Sequence, residues 1–216
     1  MDKIRIGIFG LGRGENLIDS LKVNGGEIVA VCEQSEKKIE ECKDKIENAA
    51  VYTDFDKFIE HPMDAVLLTN YFAEHAPYAI RCLEKGIHVL SECTSNGTMA
   101  QGVAFVRAAE KSKAIYMLAE NYPQMIFNRE MKRICDGGTL GRIIYAEGEY
   151  NHPAAPDNYE FNKDYVYSID HWRNYLPRTY YITHSLAPIM WSTGATPKRV
   201  SAIQHLFIKK INCLAF

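Results

Sequence analysis

Short apolar runs alternate with segments of helical period through the first half of the chain. Ile4, Ile6 and Ile8 alternate with Lys3, Arg5 and Gly7, and Phe9 extends the apolar character, so the chain opens with a strand. Further runs follow at Ile28 to Cys32, Ala65 to Leu68, Ile87 to Leu90 and Ile115 to Leu118. Each is mostly apolar, the pattern of strands covered on both faces of a parallel sheet. Between them, Ala76, Ala79, Ile80 and Leu83 fall at i, i+3, i+4 and i+7, with Arg81, Glu84 and Lys85 off that face and Gly86 as the stop. Asp54 ahead of Phe55, Phe58 and Ile59 predicts the start of a short helix, with Pro62 beyond its end. Strand, helix, strand at this spacing predicts an α/β fold, a doubly wound parallel sheet with right-handed crossovers.

The pattern changes near Tyr122, which divides the chain into a first domain, 1–122, and a second, 123–216. Ile126 to Cys135 has helical period and is closed by Gly137-Gly138, and Ile143 to Tyr150 alternates as a strand does. Asn151 to Arg178 is rich in Pro, Tyr, Asn and Asp without a period, a length that in a compact domain points to function or disorder. Ser185 to Ser192 predicts a short helix and Arg199 to Phe207 a strand. The second domain is thus expected to be α+β.

Composition narrows the partners. The 216 residues are 47% hydrophobic and 24% charged, enough to bury a core. Lys plus Arg is 25 against 27 for Asp plus Glu, a formal charge of -2, with no basic block to neutralise phosphates, which excludes a nucleic-acid partner. No apolar run approaches the roughly 18–20 residues that span a bilayer, and Met1-Asp2-Lys3-Ile4-Arg5 is not a signal peptide. The six cysteines form no C-x-x-C pair and lack the density of a disulfide scaffold. These features set the expectation of a cytoplasmic protein with a small-molecule partner and no membrane partner.

The first strand runs directly into Gly10-Leu11-Gly12-Arg13-Gly14-Glu15, with Leu17, Ile18 and Leu21 behind it at helical spacing. A dinucleotide pyrophosphate needs a glycine for the tight turn, another for close approach of the backbone, and a helix N-terminus to meet its charge. Gly10 and Gly12 fit the first two roles. The third glycine of G-x-G-x-x-G would fall at Glu15, and Gly14 stands one position early. Glu33 closes the second strand 21 positions after Gly12, where an acid accepts hydrogen bonds from an adenosine ribose and repels a 2′-phosphate. NAD is therefore favoured over NADP, although Arg13 softens the preference. A tight strand-helix turn without a ligand is the alternative.

Beyond this loop the chain resembles the Gfo/Idh/MocA oxidoreductases, from residue 3 to about 203. The likeness is carried by IRIGIFGLGRG, Glu33, LLTNYFAEHAPYAIRCLEKGIHVLSE, AENY at 119–122, LGRIIYAEGEY at 140–150 and THSLAPIM at 183–190. The resemblance implies a Rossmann domain followed by an α/β domain with a large open sheet. It also implies oxidation or reduction of a sugar or cyclitol hydroxyl with NAD(P). By that likeness Asn70, His75, Glu92 and Asn121 join Gly10, Gly12, Arg13, Gly14 and Glu33 as the residues expected to hold the cofactor. The family's Glu-Lys-Pro is Glu92-Cys93-Thr94 here, so its lysine is replaced by Cys93. A second family motif sets an Asp four residues before a catalytic His, where this chain has Tyr180. The string Tyr181-x-Thr183-His184-Ser185-Leu186 is similar to the NAD-dependent glycosidase branch, whose members also lack the lysine.

With the lysine absent, His184 is the candidate base, since an imidazole of ordinary pKa about 6.5 takes up and returns a proton near neutrality. Tyr181 is the candidate second acid/base group. Packing roles for both side chains remain open, as they do for His152 and for Asp170-His171-Trp172-Arg173. Three functions stand side by side: net oxidation of a sugar or cyclitol, glycoside cleavage by transient oxidation and elimination, and nucleotide binding without catalysis. No metal site is expected, because no second His or carboxylate stands at ligand spacing. The family is usually longer and the likeness fades at Ala202-Ile203, so a truncated second domain is expected, with homo-oligomer formation through its sheet.

Overall fold

A computed structural model describes residues 3–151 and 182–203. The chain divides into two compact units, Met1–Asn121 and Tyr122–Phe216. The first unit contains β1 (Ile4–Phe9), α1 (Leu11–Val23), β2 (Gly26–Cys32), α2 (Glu36–Cys42), β3 (Ala50–Tyr52) and α3 (Phe55–Phe58). It continues with β4 (Ala65–Leu68), α4 (His75–Glu84), β5 (His88–Ser91), α5 (Met99–Lys111) and β6 (Tyr116–Leu118). The strands form one parallel sheet in the order β3-β2-β1-β4-β5-β6. The order reverses between β1 and β4, which opens a crevice above their carboxyl ends.

Apolar side chains on both faces of the strands build two cores, one on each side of the sheet. Ile6, Ile8, Ile28, Val31 and Leu67 meet Leu11 and Ile18 of α1 and Cys42 of α2. Val66, Leu68 and Val89 meet Phe55 and Phe58 of α3, Ala76, Ala79 and Leu83 of α4, and Phe105 of α5. This two-sided burial is why the strands after β1 read as nearly unbroken apolar runs, whereas β1, exposed at Ile4 and Arg5, alternates where it begins. The five strands expected in this unit are present within two residues of their expected bounds. β3 joins them, a three-residue strand too short to show a period, paired to β2 through Ala30, Val31 and Cys32.

In the second unit a 3-10 turn, Tyr122–Gln124, leads into α6 (Ile126–Asp136), and α7 spans Ile182–Thr193. Both helices expected from the sequence are therefore formed. The strands are not. Residues 143–150 make no ladder, nor do 199–203, and residues 204–207 of the second expected strand lie outside the described residues. Alternation specifies two faces but not a neighbour, and a strand exists only by hydrogen-bonding to one. Among the described residues of this unit no strand pairs with either segment, so the open sheet expected here is absent from them. His152, Asp170 to Arg173, Tyr180 and Tyr181 also lie outside the described residues. No helix among the described residues is long and apolar enough to cross a membrane.

Candidate functional site

The crest of the first unit is shaped by a turn that only glycine can make. Gly10 lies between β1 and α1 at φ 95°, and a Cβ there would fall 2.7 Å from the Thr69 carbonyl oxygen and 2.8 Å from the Asn70 nitrogen. The backbone thus passes directly against the end of β4, and the Gly10 amide donates to the Cys32 carbonyl at 2.9 Å. α1 begins at the next residue with no side-chain cap of its own. Its leading N–H groups lack intrahelical acceptors. Glu33, at the end of β2, supplies an acceptor: one carboxylate oxygen takes the Leu11 amide at 2.8 Å and the other the Ser35 amide at 2.9 Å. Gly12 and Arg13 stand exposed on the same first turn.

Gly14 takes a different part. It is buried, and a Cβ on it would lie 2.8 Å from both Ile8 Cγ2 and Thr69 Oγ1. The close helix-to-sheet approach assigned to the third glycine of the motif is thus made one position early. Glu15, in the motif's nominal glycine place, turns toward α2, where it accepts from the Cys42 thiol at 2.9 Å and pairs with Lys38 at 2.9 Å. Those two donors, the thiol foremost, hold its carboxyl below the usual range. Burial in turn pushes the Cys42 thiol up to about 11.

The ends of β4 and β5 carry the next group. Thr69, which the sequence reading passed over, is buried and donates its hydroxyl to the Gly10 carbonyl at 2.6 Å. Its signal was a polar Thr-Asn pair closing an apolar run. Asn70 follows with both side-chain polar atoms buried and without a hydrogen-bond partner. Such orphaned groups are costly unless something binds them. His75, 1% exposed at the start of α4, sets Nδ1 at 2.7 Å from the Thr94 carbonyl and Nε2 at 3.2 Å from the Asn70 carbonyl. It ties the loop after β4 to the loop after β5. Burial pulls its imidazole below the ordinary value, against the opposing pull of those carbonyls.

Glu92, just past β5, accepts from Arg13 Nε at 2.7 Å, an ion pair reaching from the first turn of α1 to the far side of β4. Its other oxygen takes the Cys93 amide at 3.2 Å. The Cys93 thiol is buried and donates to Glu120 at 3.2 Å, and the Cys93–Thr94 peptide is cis. Asn121 follows β6 and is exposed. Gly10, Gly12, Arg13, Gly14, Glu33, Asn70, His75 and Glu92 are thus brought together along the carboxyl ends of β1, β2, β4 and β5. The donor set suits a dinucleotide: uncovered amides at a helix start for a diphosphate, an acid for a ribose, and an unsatisfied buried amide for a polar ring substituent.

His184 belongs to the second unit, as the third residue of α7. Its ring stacks on Tyr122 at 4.5 Å and meets Tyr150 at 4.7 Å. Neither tyrosine was singled out by the sequence reading, because nothing in their spacing links 122, 150 and 184. Tyr181 lies outside the described residues.

A model of the oxidoreductase family with an NAD-binding Rossmann fold matches residues 4–120. Glycosyl hydrolase family 109 protein 5 of Phocaeicola vulgatus is 27% identical over 209 residues, which cover 88% of this chain and 39% of that protein. Glycosyl hydrolase family 109 protein 1 of Bacteroides fragilis is 26% identical over 204 residues, covering 87% and 42%. The chain spans about two fifths of the length of these relatives. Among solved structures, myo-inositol 2-dehydrogenase from Lactobacillus plantarum matches with a TM-score of 0.75 at 23% identity, over 89% of this chain and 57% of that one. The WlbA dehydrogenase from Bordetella pertussis, solved with NADH and UDP-GlcNAcA, matches with a TM-score of 0.61 at 22% identity, over 66% and 42%. At these identities the structural likeness is one of fold.

Proposed function

We propose that this chain, which belongs to the GFO_IDH_MocA oxidoreductase family with its NAD-binding Rossmann fold, holds NAD across the carboxyl ends of β1, β2 and β4 and acts on a hydroxyl of a sugar or cyclitol. The observation that carries the reading is the Gly10 turn. It brings the start of α1, the Glu33 carboxylate and the orphaned Asn70 amide to one crest. The leading amides of α1 would take the diphosphate, Glu33 the adenosine ribose, and Asn70 and Glu92 the nicotinamide half. A carboxylate at 33 also repels a 2′-phosphate, which favours NAD over NADP. NAD, when bound, supplies a hydride acceptor and donor. The chain's own part is the proton: His184 takes it from the substrate hydroxyl as the hydride leaves, and Tyr181 is the second group able to donate or accept one.

A second reading is favoured by one feature of the first unit. The position that resembles the family's lysine carries the Cys93 thiol, hydrogen-bonded to Glu120, and a thiol is a weak proton acceptor near neutrality unless strongly acidified. Two relatives are named as glycosyl hydrolases. In this reading oxidation at one ring carbon acidifies the neighbouring C–H, and removal of that proton expels the aglycone by elimination. Water would then add, and NAD, when bound, would supply both the transient oxidation and its reversal, so no net redox change occurs and no carboxylate pair is needed.

Calorimetry with NAD and NADP on the purified chain tests the cofactor site: heat of binding with NAD, weaker with NADP, is expected, and folded material that binds neither refutes the proposal. Steady growth of NADH absorbance with a sugar or cyclitol then supports net oxidation. Aglycone release from a chromogenic glycoside without net NADH supports the second reading. NAD protection against heat with neither signal leaves a nucleotide-binding protein.

A further inference from the structure

The second unit builds an aromatic seat for one imidazole. The His184 ring lies nearly parallel to Tyr122, with centroids 4.5 Å apart and planes 19° apart. Tyr150 meets the same ring at 4.7 Å and 73°. The two tyrosine rings face each other at 5.4 Å and 89°. An imidazole stacked on one ring and crossed by another cannot turn about its Cβ–Cγ bond without striking one of them. Aromatic pairs at these separations and angles are also favourable in themselves.

Each tyrosine is placed by a contact of its own. The Tyr122 carbonyl takes the side-chain amide of Asn128 at 2.7 Å and the Met125 amide at 3.1 Å. Asn128, on α6, is 4% exposed, so a buried side chain pins the 3-10 turn to the helix that follows it. Tyr150 arrives by a different route. The segment carrying it passes the first turn of α7 at Gly148, where a Cβ would strike the Ser185 carbonyl oxygen and fall 3.2 Å from its carbon. Only a residue without Cβ lets the segment run that close to the backbone, one residue past His184.

We infer that Tyr122 and Tyr150 are positioning residues for His184, and that Asn128 and Gly148 set where the two rings stand. The inference rests on His184 being the proton acceptor and deepens that reading. A general base works only with a nitrogen inside hydrogen-bond reach of the proton it removes. A displacement of about 1 Å from that geometry costs about 10²-fold in rate. Aromatic rings packed on the imidazole hold its plane.

The test uses the full chain with 13C-labelled histidine, and His184→Asn to assign the His184 resonance. In the wild type the His184 ring protons are expected upfield of free histidine, shielded by the Tyr122 face. Tyr122→Phe keeps that displacement and Tyr122→Leu loses it. Gly148→Ala, acting from the other segment, reduces it as well, so one poorly folded variant does not void the test. In aglycone release, Tyr122→Leu lowers kcat by about 10- to 100-fold with KM little changed. Tyr122→Phe stays near wild type, and Tyr122→Leu has no further effect on His184→Asn. Unshifted His184 protons in the wild type, or Leu and Phe variants alike in spectrum and in kcat, overturn the inference. A wild-type chain that cleaves no glycoside overturns the glycosidase reading instead, and the spectra alone then decide the positioning.

Discussion

Replacing Gly10 by alanine perturbs two things at once, and the structure allows their separation. The first is conformational: φ 95° with ψ 111° is backbone that residues with a Cβ rarely adopt, at a cost of about 1–3 kcal/mol. The second is steric. The new methyl would stand 2.7 Å from the Thr69 carbonyl oxygen and 2.8 Å from the Asn70 nitrogen, both backbone atoms that no rotamer change can move aside. Relief requires the β1 turn and the end of β4 to separate, and overpacking of this kind costs about 1–3 kcal/mol. Together the loss is about 2–6 kcal/mol, against about 5–15 kcal/mol for the whole stability of an ordinary domain. Gly86→Ala is the control: its φ is also positive, 78°, but nothing lies within 4 Å of the added carbon. It should therefore cost only the conformational share, about 1–2 kcal/mol. Urea denaturation followed by far-UV circular dichroism compares the two, and thermal scans with and without NAD read the site. Gly10→Ala should be the less stable, and what remains folded should gain little from NAD. Equal stability of the two variants within about 0.5 kcal/mol, with NAD protection of Gly10→Ala at the wild-type level, would refute the close-approach argument.

Three further outcomes follow from groups around the same sheet. Glu33→Ala removes the acceptor of the Leu11 amide, so it should cost about 1 kcal/mol as a lost cap does and should narrow the preference for NAD over NADP, both read by calorimetry and urea titration. His75 is held below its ordinary 6.5 by burial, so the unfolded chain binds its proton more readily. Stability should fall as pH drops below 6.5, and His75→Asn should flatten that part of the curve. Asp64 is held at about 2, against an ordinary 3.8, chiefly by the hydrogen bond from the Arg5 side chain. Its contribution is complete above 3.8 and is lost as pH falls toward 2. Asp64→Asn should thus lower Tm at pH 7 by a small amount fitting a solvent-exposed pair, and the gap should close by pH 2.

The parts of this molecule that could be read from its sequence are those where the physics is local. Ala65 to Leu68 stands out because a strand buried on both faces must be apolar throughout, and Ile4 to Phe9 because Ile4, Ile6 and Ile8 alternate into a glycine turn. α5 was missed despite a capping box, Thr98 with Gln101, written in the sequence. α2 was missed because seven residues, Glu36 to Cys42, bury only Cys42 and show almost no apolar face. The part played by Gly14 depended on the approach of Ile8 and Thr69, a tertiary contact across the sheet that no motif spacing encodes. Residues 143–150 show the converse: their alternation is real, yet pairing is decided by another segment, so the pattern specifies two faces without specifying a strand. The seat around His184 is the extreme case, since Tyr122, Tyr150 and His184 come from three separate segments.

The exchange of lysine for Cys93 bears on where acid-base chemistry can reside. An ammonium at the end of β5 would bring a positive charge and three donors to the edge of the crest, beside Glu120. Cys93 brings a short, buried, neutral donor whose hydrogen goes to the Glu120 carboxylate. Glu92 accepts from Arg13 and from the Cys93 amide, and His75 is buried between two carbonyls that favour its N–H as donor. On the proposed reading the crest of the first unit binds and orients rather than moves protons. On that reading the acid-base work falls to the second unit, whose imidazole is braced by the Tyr122 and Tyr150 rings. A base oriented in that way depends on packing for its geometry, so aliphatic substitutions at 122 or 150 should weaken turnover while leaving dinucleotide affinity unchanged.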